Sequence, residues 1–300
     1  MEGTIDKLKV GDLIEIIAPA KAIEEEHVIH AKEFFEKNGF RVKISDHCLD
    51  HYNYFSGTIQ DRIQDFQEAI DNPRVKAVVC ARGGYGCIQI VDKVDWTKFH
   101  EKPKWIIGFS DVTVFHQHAQ KFNIESLHAT MPLNFKSNTK AALDTLMTAI
   151  CKKQYSIQHK STPDDQFGSV TSTLIGGNLS IIFSLLGTNL QPDFNGKILF
   201  IEDLCEHIYH IDRMFHALEK AGVLNEIGGL IVGGMTDLKD TVNPYGSTYQ
   251  EVVLSHLTAR NIPVCFDFPA GHIDDNRALI LGSQVDFIVN DAGTTITFKG

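Results

Sequence analysis

None of the six cysteines, Cys48, Cys80, Cys87, Cys151, Cys205 and Cys265, forms a C-x-x-C pair. That leaves no thiolate zinc motif and no disulfide framework. Thiols scattered through 300 residues read as reduced, mostly buried side chains of a cytoplasmic protein. No apolar run approaches the ~18 residues of a membrane span. The first twenty residues hold Glu2, Asp6, Asp12 and Glu15 where a signal peptide would have an apolar stretch. Basic residues do not cluster: 28 stand against 38 acidic ones, a net charge of −10. A duplex-binding surface needs such clusters, so nucleic acid is excluded as a partner. The sequence also lacks a G-x-G-x-x-G string, a His-Glu-x-x-His string, an internal repeat and a low-complexity tract.

What remains is a globular chain. The 43% hydrophobic and 22% charged shares exclude disorder and coiled coil. Three hundred residues allow two domains at ~150 residues each. Apolar runs at residues 13–18, 41–44, 75–81 and 105–108 read as strands. Helical spacing over 24–38, 58–71, 88–94 and 111–123 falls between and after them. Alternating strands and helices predict a parallel sheet with helical crossovers. The pattern breaks after residue 134. A helix near 139–150 and a polar stretch at 158–166 mark residues 136–168 as the expected connection between domains. The second half opens on glycines and then helical spacing over 174–187. Strands are expected at 197–201, 229–233 and 263–266, helices at 209–221 and 248–259, and short β segments over 278–298. The expected class is α/β. An N-terminal parallel-sheet domain of flavodoxin-like look covers 1–135, and a C-terminal mixed α/β domain rich in short strands covers 169–300.

Several residues could carry chemistry. Trp105-Ile106-Ile107-Gly108-Phe109-Ser110-Asp111 runs from an apolar strand directly into a helix. A serine on such a turn has the geometry of a nucleophile elbow, and the backbone N–H of Asp111 is then a natural oxyanion donor. The plain alternative is a helix N-cap. Arg82-Gly83-Gly84-Tyr85-Gly86 follows another strand. Its glycines suit either an oxyanion-hole element or a tight turn. Among fourteen histidines, His272 in Pro269-Ala270-Gly271-His272 stands out as a base after a strand. His116 and His118 face differently on one helix, whereas His207 and His210 could share a face with Glu206. Glu202-Asp203 ends an apolar strand, where sites of α/β proteins assemble. It could orient an imidazole, cap a helix or pair with Arg213. These residues permit a serine hydrolase whose nucleophile and base lie in different halves. They also permit a non-catalytic two-domain protein closing on a small ligand.

In order along nearly the whole chain, the strings resemble the LD-carboxypeptidase family. They are Gly11-Asp12, Ala18-Pro19, Arg82-Gly83-Gly84-Tyr85-Gly86, Gly108-Phe109-Ser110-Asp111, Gly176-Gly177-Asn178-Leu179, Glu202-Asp203, Ile211-Asp212-Arg213, Gly271-His272 and Asn276. The resemblance implies two domains with the site between them. It implies Ser110 as nucleophile, His272 as general base and Glu202 as the residue holding the imidazole. The N–H groups of Asp111 and Gly84 would form the oxyanion hole, with Gly83 a close alternative. Arg82, Gly83, Asn178 and Arg213 would support the site or touch substrate. No metal or other cofactor is implied, and homodimers are usual. The implied reaction releases the terminal D-alanine of a murein tetrapeptide in the cytoplasm. The alternative within the family is the microcin C immunity type, which cleaves peptidyl or aminoacyl adenylate analogues. Phe109 replaces the more frequent tyrosine of the family string, and Ala20 stands where serine is frequent.

Overall fold

The computed structural model describes residues 5–299. The outer ends of the two expected domains, 1–4 and 300, lie outside the described residues. Five strands build the first sheet from the N-terminal half: β1 (Leu13–Ile17), β2 (Arg41–Ile44), β3 (Val75–Cys80), β4 (Trp105–Gly108) and β5 (Ser126–His128). They pair in parallel in the order β2-β1-β3-β4-β5. This is the flavodoxin-like order, whose reversal point lies between β1 and β3. Every residue of β4 is buried, as is all of β3 except Lys76. Near-continuous apolar runs of this kind belong to strands covered on both faces. The crossovers carry α1 (Glu25–Lys37), α2 (Ile59–Asp71), α3 (Cys87–Ile90), α4 (Thr97–Glu101) and α5 (Thr113–Lys121). Thr58 and Asp61 start α2 with a reciprocal capping box.

Residues 136–168, expected to connect the domains, contain α6 (Lys140–Cys151) and β6 (Gln154–His159). Next come β7 (Gly168–Asn178), α7 (Leu179–Ser184), β8 (Ile198–Leu204), α8 (Ile208–Lys220), α9 (Val223–Glu226), β9 (Gly229–Thr236), α10 (Tyr249–Ser255) and β10 (Val264–Cys265). The chain ends in β11 (Leu279–Leu281), β12 (Gln284–Asn290) and β13 (Gly293–Lys299). The second sheet has the order β10-β9-β8-β7-β12-β13-β6. Its β7–β10 half is parallel and its β7-β12-β13-β6 half antiparallel. The mixed second domain is therefore as expected in class, but β6 from the connecting stretch is its edge. The helical spacing expected over 174–187 begins only at α7. Gly176 and Gly177 instead end a strand, with φ of 135° and 141°. A β-carbon on Gly176 would lie 1.8 Å from the Phe200 carbonyl oxygen, and one on Gly177 2.6 Å from Thr113. Both glycines are there for close approach.

One strand departs from the half-by-half plan. β11 pairs antiparallel with β5, Leu279 opposite His128, and so completes the first sheet. Side chains of α5 join the two sheets as well. Gln120 accepts from the Gly176 N–H at 3.0 Å and donates to its carbonyl at 3.1 Å. Thr113 Oγ1 accepts from the Asn178 N–H at 3.0 Å.

Candidate active site

Ser110 follows β4 with φ of 63°, a left-handed conformation that side-chain-bearing residues rarely adopt. It opens a short 3₁₀ turn, Ser110–Val112, that leads into α5. The capping alternative does not describe this turn. The cap of α5 is Val112, which makes no side-chain bond. Asp111 turns away and accepts from the Cys87 N–H at 2.9 Å. Burial raises the pKa of its carboxyl. The sharp turn leaves Ser110 half-buried at the carboxyl end of a central strand.

The glycine loop after β3 lies against that serine. A β-carbon on Gly83 would sit 2.9 Å from Ser110 Cβ, 3.1 Å from its Oγ and 3.2 Å from the Asp111 nitrogen. Only glycine fits. Gly84 has φ of 106°, and a β-carbon there would meet the Tyr54 hydroxyl at 2.9 Å and Lys21 Cβ at 3.0 Å. Lys21 Nζ lies 4.9 Å from the Tyr54 ring centroid. Sequence reasoning did not single out Lys21 or Tyr54. The only signal for Lys21 is its place after the first strand. Ala20 is fully buried, and a β-carbon on Gly86 would lie 2.8 Å from its Cα. In this chain the position faces protein.

From the second sheet, β8 delivers Glu202, which is fully buried. Its Oε2 meets His272 Nδ1 at 2.6 Å and also accepts from the His272 backbone N–H at 3.2 Å. Gly271, with φ of 107°, makes this possible: a β-carbon there would lie 2.7 Å from Glu202 Cβ. Burial alone would drive the His272 pKa down, but the Glu202 charge and hydrogen bond outweigh it and hold the imidazole above its ordinary value. Burial likewise opposes the Glu202 charge, and His272 overcomes it and holds the carboxyl below its usual range. The two shifts agree on a charge-stabilising pair. The His272 ring packs edge-on against Phe109, centroids 4.8 Å apart. The residue before the serine thus touches the imidazole from the other sheet.

Asn178 donates to Glu202 Oε1 at 3.3 Å and Asp203 Oδ1 at 3.0 Å, and its own oxygen caps α7. Its side chain supports the carboxylates. Burial, then the neighbouring Glu202 charge, pushes Asp203 up to about 6. Arg82 donates to the Ala22 carbonyl at 3.1 Å. Arg213 lies on the exposed face of α8 over the Tyr209 ring, 5.3 Å away, and makes no ion pair with Glu202 or Asp203 among the described residues. His128, also overlooked, ends β5 fully buried between Phe109 and Phe200. Burial pushes its imidazole down to about 3, so it is neutral at pH 7. His210 bonds Glu206, and His207 stacks on Tyr209. His210 lies on the first turn of α8 and His207 is its N-cap, both far along the chain from His272.

The LD-carboxypeptidase N-terminal domain model matches residues 14–129, and the C-terminal domain model matches residues 171–287. A putative carboxypeptidase of Synechocystis sp. is 31% identical over 288 residues, covering 96% of this chain and 94% of the relative. A probable murein peptide carboxypeptidase of Bacillus subtilis is 29% identical over 288 residues, covering 92% and 89%. The crystal structure of muramoyltetrapeptide carboxypeptidase from Oxalobacter formigenes superposes with a TM-score of 0.87 at 27% identity, over 96% of this chain and 99% of that one. The fold is also that of MccF in complex with glutamyl sulfamoyl guanosine, TM-score 0.85 at 22% identity, over 99% and 98%. With its two halves matched in order by the two domain models, this chain belongs to the LD-carboxypeptidase family of serine-type carboxypeptidases.

Proposed function

We propose that the protein hydrolyses the amide before the terminal D-alanine of a murein tetrapeptide through Ser110, His272 and Glu202. The observation that carries this reading is the 2.6 Å Glu202–His272 bond, joined through Phe109 to a serine held at φ of 63°. Glu202 occupies Nδ1, which leaves Nε2 to act on Ser110. Ser110 Oγ attacks the carbonyl as His272 takes its proton. The oxyanion rests on the N–H groups of Asp111 and Gly84. His272 returns the proton to the amine, D-alanine leaves, and water attacks the acyl-enzyme with His272 again as base. The free thiols, of which Cys205 is exposed, suit the reducing cytoplasm.

The immunity-type reading requires an aromatic face for a nucleobase. Trp96 is 7% exposed and Trp105 fully buried, both in the first domain, so neither presents a ring to a ligand. The murein reading is favoured by the relatives: murein peptide carboxypeptidases are 29% and 28% identical, and the microcin C7 self-immunity protein 25%. The test offers both substrates, a murein tetrapeptide and an aminoacyl-sulfamoyl adenosine, and follows products by mass spectrometry. Release of D-alanine, with turnover lowered at least about 10³-fold in Ser110→Ala, is expected. Full activity in Ser110→Ala would refute the mechanism. Cleavage of the nucleoside alone would refute the substrate.

A further inference from the structure

Away from the catalytic residues, α8 and the end of α10 bring together a second group of imidazoles and carboxylates. Asp212, His216 and Glu219 stand at positions i, i+4 and i+7 of α8, on one face of the helix. His256, directly after α10, reaches across to them. Asp212 Oδ1 is 3.0 Å from His256 Nε2, and Asp212 Oδ2 is 3.7 Å from His216 Nε2. One donor atom from each of Asp212, His216 and His256 lies within 4.8 Å of the others. The two rings stand perpendicular, at 87°, with centroids 4.4 Å apart.

Glu219 decides what this group is for. Its Oε2 lies 3.3 Å from His256 Nδ1 and 3.4 Å from His216 Nδ1. One carboxylate therefore backs both imidazoles at Nδ1. With Nδ1–H of each ring given to Glu219, both Nε2 atoms, which face Asp212, can turn a lone pair to an ion that replaces the present Nε2–Asp212 contacts. Histidines that bind metals are held in this way, with the second ring nitrogen donating to a carboxylate. The spacing also fits. Bonds of about 2.0 Å to a tetrahedral ion require donor atoms about 3.3 Å apart; the three donor atoms lie within 4.8 Å of one another, and each Nε2 lies 3.0 or 3.7 Å from one of the two Asp212 oxygens, so small side-chain rotations close the set. The His256 side chain is 5% exposed, while Asp212 and His216 are 25% and 55% exposed. One side of the group is open for water as a fourth ligand.

We propose that Asp212, His216 and His256 form a binding site for a zinc-class divalent cation, oriented by Glu219, that clasps α8 to α10. Two imidazoles and one carboxylate select a borderline transition ion over calcium or magnesium. The clasp takes no part in peptide hydrolysis. It braces the helix that follows β8, the strand bearing Glu202.

Tag-free full-length protein titrated with Zn²⁺ alone in a calorimeter should bind one ion per chain with micromolar or tighter affinity. Saturating Zn²⁺ should raise the melting temperature by about 3–5 °C. His216→Ala should weaken binding at least tenfold. His216 is exposed enough that its loss leaves the fold and the peptidase rate intact. Glu219→Gln, which removes no ligand, should weaken binding about 10- to 100-fold. Absence of binding to the unaltered protein at 100 μM, or unchanged affinity in His216→Ala, would overturn the proposal. Unchanged affinity in Glu219→Gln would overturn the orienting role.

Discussion

Burial by itself would disfavour the charged forms of both Glu202 and His272, and each shifts the other back towards its charged form. The sign of the resulting pH dependence follows. In the mechanism proposed above His272 is the general base, which must be neutral to accept a proton, and its pKa stands above the ordinary imidazole value. Activity should therefore fall as pH drops through that raised pKa. Glu202→Gln removes the charge that raises it. Its kcat should drop about 10³- to 10⁴-fold, and the acid limb of the residual kcat/KM profile should move to lower pH. An acid limb that stays in place would show that Glu202 does not set the imidazole pKa. At this scale part of the geometry was legible in the sequence: Ser110 follows the end of β4 and Glu202 lies near the end of β8, while His272, in the loop between β10 and β11, bonds Glu202. Asn178, expected to support the site or touch substrate, donates to two buried carboxylates. Other neighbours of the site were not legible. Lys21 and Tyr54 meet Gly84 only after folding, from positions that sequence spacing does not relate to it.

Helices with clear spacing and caps, such as α2 with its Thr58 box, were readable to within a residue or two. β3 and β4 were readable because burial on both faces makes them near-continuously apolar, whereas β5, only three residues ending in His128, was not anticipated. β6 was not, because it is an edge strand with alternating exposure, and Gln154, Ser156 and Gln158 look like loop residues. β11 is three residues long, and its sheet is decided by a pairing partner some 150 positions earlier. Its Leu279 and Leu281 are fully buried. Without it the β5 edge of the first sheet is open. A fragment of residues 1–135 should therefore not fold alone. Circular dichroism melting should show no cooperative transition, and size-exclusion chromatography should show aggregates. A monomeric fragment that melts cooperatively would contradict this account of the edge.

Across the whole molecule, the two sheets are aligned by a few buried polar contacts next to the site. Gln120 satisfies both backbone groups of Gly176, and Thr113, at the start of the serine's own helix, holds Asn178. Gln120→Ala would leave the buried Gly176 N–H without its partner, its carbonyl keeping only the longer 3.3 Å bond from Gln117, at a cost of about 1–3 kcal/mol. It should also lower kcat, because the same contacts set Ser110 against Glu202 and His272. Denaturant titration and steady-state kinetics measure the two effects. Unchanged values in both would mean that the sheets are aligned by other contacts. The net charge of −10 carries none of this information. The route of the last seventy residues does. After β9 and β10 in the second sheet, the chain passes through His272, lays β11 on the first sheet, and returns to the second as β12 and β13. The gene is therefore not two cassettes joined end to end. A recombinant that crossed between two relatives near residue 150 would take its serine and most of its first sheet from one parent. His272 and that sheet's last strand would come from the other. Such hybrids should survive only where the parents agree along β5 and β11, which ties the two halves to a shared line of descent.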